Sequence, residues 1–136
     1  MNNMDFTFGS VTVTRSALLH AVHHQLLFPD GNSLFNDRTA LVVSRTVYEN
    51  LIFSRKARIT LESEPEVELL FFENENFSFE LDGQPYQVKC LMAKDKKEST
   101  SLLIFRNTIY PLVARWTLPN GMSGELLQWK NPSREQ

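Results

Sequence analysis

From Ala57 onward, apolar and polar residues alternate with a period of two over most of the chain, the pattern of strands that bury one face. This half reads as a meander of about six strands. Turns are expected at Phe72 to Asn76, Asp82 to Pro85, Lys94 to Thr100 and Pro119 to Gly124. The first half is mixed. Asp5 to Thr14 alternates (Phe6, Phe8, then Val11, Val13) and predicts a strand with a break at Gly9-Ser10. Leu18, Leu19, Val22 and Leu26 recur at helical spacing and predict a helix from Ser16 to Leu27, capped by Thr14 or Ser16. Pro29 and Asp30-Gly31 would end it in a turn. Thr39 to Val43 reads as a short strand, and Ser44 as the N-cap of a second helix from Arg45 to Phe53, with Arg45 and Glu49 four apart.

The turn lengths suggest registers, because pairings that align apolar rows are favoured. A five-residue turn at Phe72 to Asn76 sets Phe71 opposite Phe77, Leu69 opposite Phe79 and Val67 opposite Leu81. A four-residue turn at Asp82 to Pro85 continues the row, with Leu81, Phe79 and Phe77 facing Tyr86, Val88 and Cys90. The last turn sets Trp116 opposite Leu127 and Ala114 opposite Trp129. On the other face Glu68 then meets Glu80, and Glu66 meets Asp82; Glu62 and Glu64 extend the row, with Glu73 and Glu75 at the turn. Half of the sixteen acidic residues fall between Glu62 and Asp82, and no Lys or Arg lies between Ile59 and Val88. Like charges across a sheet cost a few tenths of a kcal/mol per pair, so the gathering gains something only when a positive surface covers it.

These patterns predict an α+β, β-rich fold: an antiparallel meander curled into a partial barrel or sandwich, with two short helices in the N-terminal half packed over one open end or face. The 136 residues fit a single domain, 1–136, with a frayed tail over 130–136. A net charge of −2 disfavours nucleic acid as a partner. One cysteine rules out an internal disulfide, and the start Met1-Asn2-Asn3-Met4-Asp5 lacks the features of a signal peptide. With no long apolar run, the expectation is a cytoplasmic protein without membrane association; a chain already trimmed of a signal would read the same.

Chemistry-bearing residues are few. All three histidines lie in His20-Ala21-Val22-His23-His24, and on a helix His20 and His24 would share a face, the one weak candidate for a metal site. They lack the glutamate of a zinc-hydrolase motif and sit opposite the apolar stripe, so solvated histidines are expected. Cys90 alternates with Val88 and Met92 and should point inward as a small hydrophobe. Trp116 and Trp129 read as core. Asp30, Asn32, Asn36 and Asp37 suit turns better than a calcium loop. Catalytic signatures, and motifs for nucleotides or paired-cysteine metal centres, are missing.

The leading expectation is therefore a non-enzymatic protein-interaction module without a cofactor. Glu62, Glu64, Glu66, Glu68, Glu80 and Asp82 would supply a negative face for a basic protein partner, with Leu70 and Phe72 as anchors. A small bacterial inhibitor or immunity-type protein would fit that description. Self-association of this face with the Lys94, Lys96, Lys97 turn of a second copy is a related possibility. Two further readings are an apolar-ligand carrier, with the ligand among Phe71, Phe77, Phe79, Trp116 and Trp129, and an enzyme using His20 or His24, with or without a metal.

Overall fold

The computed structural model describes residues 6–8, 11–26, 33–62, 64–126 and 128–129. Its elements in chain order are β1 (Phe6–Phe8), β2 (Val11–Val13), α1 (Arg15–His20), β3 (His23–Gln25), β4 (Ser33–Phe35), β5 (Thr39–Ala40), α2 (Arg45–Glu49), β6 (Lys56–Leu61), β7 (Val67–Leu81), β8 (Gln84–Lys94), β9 (Ser101–Phe105), β10 (Val113–Thr117), β11 (Ser123–Glu125) and β12 (Gln128–Trp129). The α+β, β-rich architecture is the one the alternation predicts.

A large mixed sheet has the strand order β11-β10-β9-β8-β7-β6-β3-β5, and β12 adds parallel to the far end of β7. The run from β6 to β11 is the expected antiparallel meander; β3 joins it parallel to β6 and β5. A separate small sheet holds β1, β2 and β4. The large sheet curls without closing into a barrel. One isolated bridge, Val42 with Leu112, ties its two ends, flanked by bonds from Val43 N–H to the Pro111 carbonyl (3.1 Å) and from Val113 N–H to the Leu41 carbonyl (2.8 Å).

The second helix starts where Ser44 predicts: its hydroxyl accepts a bond from Val47 N–H at 3.2 Å, a cap worth about 1 kcal/mol. Arg45 and Glu49 form the expected ion pair at 3.2 Å. The helix then widens into a π-helical turn, Asn50–Ser54, and stops at Arg55, whose φ of +64° cannot continue it. Val47, Tyr48 and Leu51 pack from this segment onto Ala57, Ile59, Leu69, Leu91, Ala93, Leu102 and Ile104 of the sheet. Burying each large aliphatic side chain stabilises the fold by roughly 1.5–3 kcal/mol. The first helix docks on the second, with the Thr46 hydroxyl donating to the Leu19 carbonyl at 2.8 Å.

That first helix is much shorter than its periodicity predicts. Thr14 caps it, but Ala21 is already extended (φ −63°, ψ 139°), and His23–Gln25 is a strand. The expectation of a helix to Leu27 is corrected: pairing with β5 and β6 on both sides outweighs helical spacing. His20 and His24 therefore share no helix face, and His24 lies in the interior.

The turn expected at Phe72 to Asn76 is also absent. β7 runs unbroken for fifteen residues, with a bulge between Phe71 and Glu73. The bulge matters because it changes the face on which odd-numbered residues point. Before it, Leu69 and Phe71 belong to the core under α2; after it, Phe77 and Phe79 belong to a second core on the opposite face with Cys90, Met92, Leu103 and Ala114. Phe71 does not meet Phe77, and Glu68 does not meet Glu80.

The turn before β8 holds only Asp82 and Gly83, with φ of +49° and +82°. Both signs are positive, as a tight hairpin requires, and Asp-Gly supplies them cheaply. The pairing consequently moves by two positions, to Phe79 with Tyr86 and Phe77 with Val88. The last hairpin sets Trp116 opposite Gly124, which replaces the expected Leu127. Asp30 and Asn32 of the presumed turn, and the tail over 130–136, lie outside the described residues. No described helix is long and apolar enough to cross a membrane.

Candidate functional site

In a meander, alternate loops emerge at the same end of the sheet. The loops after β6, β8 and β10 meet there around a groove of about 620 Å³. Leu61, Val67, Leu118 and Pro119 give it apolar surface. Glu64, Glu66 and Glu68 come from the first loop and the start of β7, and Lys96 and Lys97 from the second loop. The second loop is held by Asp95, whose carboxylate accepts bonds from Ser99 N–H (2.9 Å), Thr100 N–H (3.1 Å) and the Ser99 hydroxyl (3.1 Å). Asp95 is thus a loop staple, and the carboxylates toward the groove are the three glutamates. Arg58 pairs with Glu66 across 3.3 Å, both side chains largely exposed, a contact of at most about 1 kcal/mol.

The remaining acidic residues of the expected face are placed elsewhere. Glu62, at φ +52°, accepts bonds from Leu26 N–H and from the Gln25 side chain (3.1 Å), so its carboxylate fixes the end of β3. Glu80 and Asp82 sit at the tip of the β7–β8 hairpin, Glu80 opposite Pro85. Twelve residues of extended chain separate Glu68 from Glu80, about 40 Å along the strand. The single acidic face built on cross-strand pairing of those residues is corrected: Glu64, Glu66 and Glu68 stay together, Glu62 holds β3, and Glu80 and Asp82 lie at the distant hairpin tip. Of the two anchors, Phe72 is 53% exposed and carries the Lys94 ammonium 4.1 Å from its ring centre, while Leu70 is half-buried opposite Lys56 and Lys94. Lys94 also pairs with Glu98 at 3.4 Å, and Lys96 and Lys97 lie on the same groove as the glutamates.

No family model, curated protein or solved structure matches this chain.

The histidines separate by environment. His20 is exposed at the end of α1. His24 is fully buried, its Nδ1 2.8 Å from the Thr39 hydroxyl, and burial, helped by His23, lowers its pKa to about 3. An uncharged imidazole results. His23 Nε2 is buried without a hydrogen-bond partner. Among the described residues, no three His, Cys, Asp or Glu side chains are placed to hold a metal ion.

Cys90 is buried as expected, and its thiol pKa is pushed up to about 12 by burial and by the Glu75 carboxylate. Glu75 itself pairs with Arg115 at 2.7 Å. Of the aromatic residues proposed to enclose an apolar ligand, Phe77 and Phe79 stack at 6.2 Å between centroids, and Arg55 covers Phe71 at 4.4 Å. Trp116 lines a smaller cleft elsewhere. Sequence reasoning missed the contribution of Ser99, Thr100, Leu118 and Pro119 to the groove. The signal was available in the order of the turns, since every second turn of a meander shares an end.

Proposed function

We propose that the chain is a non-catalytic interaction module that takes an extended, basic segment of a partner protein into the loop-end groove. The observation supporting this reading is the convergence of Glu64, Glu66 and Glu68 on a groove with an apolar floor of Leu61, Val67 and Leu118. Carboxylates at a rim speed encounter and orient a positive ligand, while the apolar floor gives the desolvated contact that holds it. Loops on a rigid sheet suit such a role because their sequence can vary without disturbing the core. A small inhibitor that neutralises a basic protein would use this kind of surface.

A capped peptide alternating lysine and valine is a defined probe. Titrated into ¹⁵N-labelled protein at low salt, it should shift amides in 64–68, 95–100 and 118. The shifts should weaken at high salt. The double variant E64K/E68K should reduce affinity at least about tenfold, whereas E80K/D82K at the hairpin tip should leave it unchanged. Equal binding by E64K/E68K, or shifts confined to the hairpin tip, would overturn the proposal.

A further inference from the structure

The seam that ties the ends of the large sheet opens on a second cleft, of about 200 Å³. Leu41, Leu112 and Val113 of the seam line it together with Trp116, Leu126 and His24, and Gln25 and Glu125 also border it. Three features set it apart from an ordinary gap in packing. Trp116 covers Gly124, its cross-strand partner, so that the absence of a side chain at 124 lets the indole form one wall. Leu41 holds a φ of +72°, a conformation a branched aliphatic residue rarely adopts; such strain is retained where the surroundings fix it and often marks a binding site. His24 lines the cleft while almost wholly buried, and Thr39 engages its Nδ1, so Nε2 is the ring nitrogen that a ligand there would have to engage.

The chemistry of these walls selects a ligand class. Aliphatic side chains and an indole favour an apolar, flat molecule, the exposed Glu125 carboxylate at the border disfavours an anion, and an uncharged imidazole offers one hydrogen bond without a charge to balance. A cavity of about 150 Å³ lined by aliphatic residues accepts benzene, so the volume here suits one substituted ring or a fused pair.

We infer that this cleft binds a small uncharged aromatic molecule with one polar edge, its ring along Trp116 and its polar atom on His24. This site is separate from the loop-end groove and does not depend on the reading given for it.

Benzimidazole and toluene serve as probes, the first with a polar edge and the second without. In ¹⁵N spectra of the full chain, benzimidazole should shift the Trp116 indole N–H and the His24 ring nitrogens saturably below ~10 mM, with amide shifts confined to 24–26, 41, 112–116 and 124–126. His24→Phe keeps a flat aromatic ring and removes the polar atoms. It should weaken benzimidazole about tenfold and leave toluene unchanged. Leu126→Trp fills the opening and should abolish both, which keeps the test decisive if His24→Phe does not fold. Absence of saturable shifts in the wild-type protein, or equal benzimidazole affinity in a folded His24→Phe variant, would sink the idea. Binding that survives Leu126→Trp would do the same.

Discussion

Trp116 lies so close over Gly124 that a Cβ added at position 124 would stand 2.6 Å from the indole ring. The two residues face each other across β10 and β11, and the glycine exists to accommodate the ring. Gly124 has no positive φ to explain it, unlike Gly83 at +82° and Gly121 at +89°. The requirement at 124 is therefore one of space.

Gly124→Ala should displace the indole and cost about 1–3 kcal/mol, the usual range for overpacking. Gly83→Ala meets no atom within 4 Å and should cost about 1–2 kcal/mol through backbone strain alone. Urea titration gives both stabilities. Near-ultraviolet circular dichroism separates the causes, since the tryptophan band should change in the first variant and persist in the second.

Acid should destabilise the fold through His24. Its folded pKa of about 3 lies below the ordinary 6.5 because the buried ring resists charging. The unfolded chain therefore binds a proton in this window that the folded chain refuses. Stability from this residue is complete above about pH 6.5 and falls with pH toward 3, by up to about 1.4 kcal/mol per pH unit. Denaturation at a series of pH values should show a shallower slope in His24→Phe. An equal slope in both proteins would remove His24 as the cause.

Cys90 should resist modification in the native state. With its thiol pKa raised from 9.0 to about 12, almost no thiolate exists at pH 8, and the side chain is buried. A thiol reagent such as dithionitrobenzoate should react only as fast as the chain opens, and promptly in denaturant. The same shift means stability falls as pH rises above 9, where the unfolded thiol ionises and the folded one does not. Cys90→Ser buries a hydroxyl in place of a thiol and should cost about 1–3 kcal/mol; Cys90→Ala leaves no polar atom to satisfy.

Local chemistry was legible wherever one or two residues decide the outcome. Ser44 caps its helix, Arg45 reaches Glu49, and Cys90 turns inward as alternation requires. The errors share a physical origin in tertiary pairing. Leu18, Leu19, Val22 and Leu26 fit a helical stripe, yet β3 gains more by inserting between β5 and β6. The polar run Glu73-Asn74-Glu75-Asn76 resembles a turn. It is instead the part of a long strand beyond its pairing with β6, where exposed positions can be polar. Nothing local announces the bulge after Phe71, so alternation alone puts Phe77 and Phe79 in the core of Leu69 and Phe71. The single acidic face depends on the same unbroken alternation, and only its Glu64, Glu66 and Glu68 portion stays together.

The bridge between Val42 and Leu112 joins positions about seventy residues apart, while the hairpins from β6 to β11 pair near neighbours in the chain. Closing a loop of that length costs roughly 2–3 kcal/mol more than closing a hairpin turn of a few residues. Local contacts favour assembly of the meander before the seam. Hydrogen exchange at the Val43 and Val113 amides, which carry the seam bonds, should therefore be faster than at the amides that join β7 to β8.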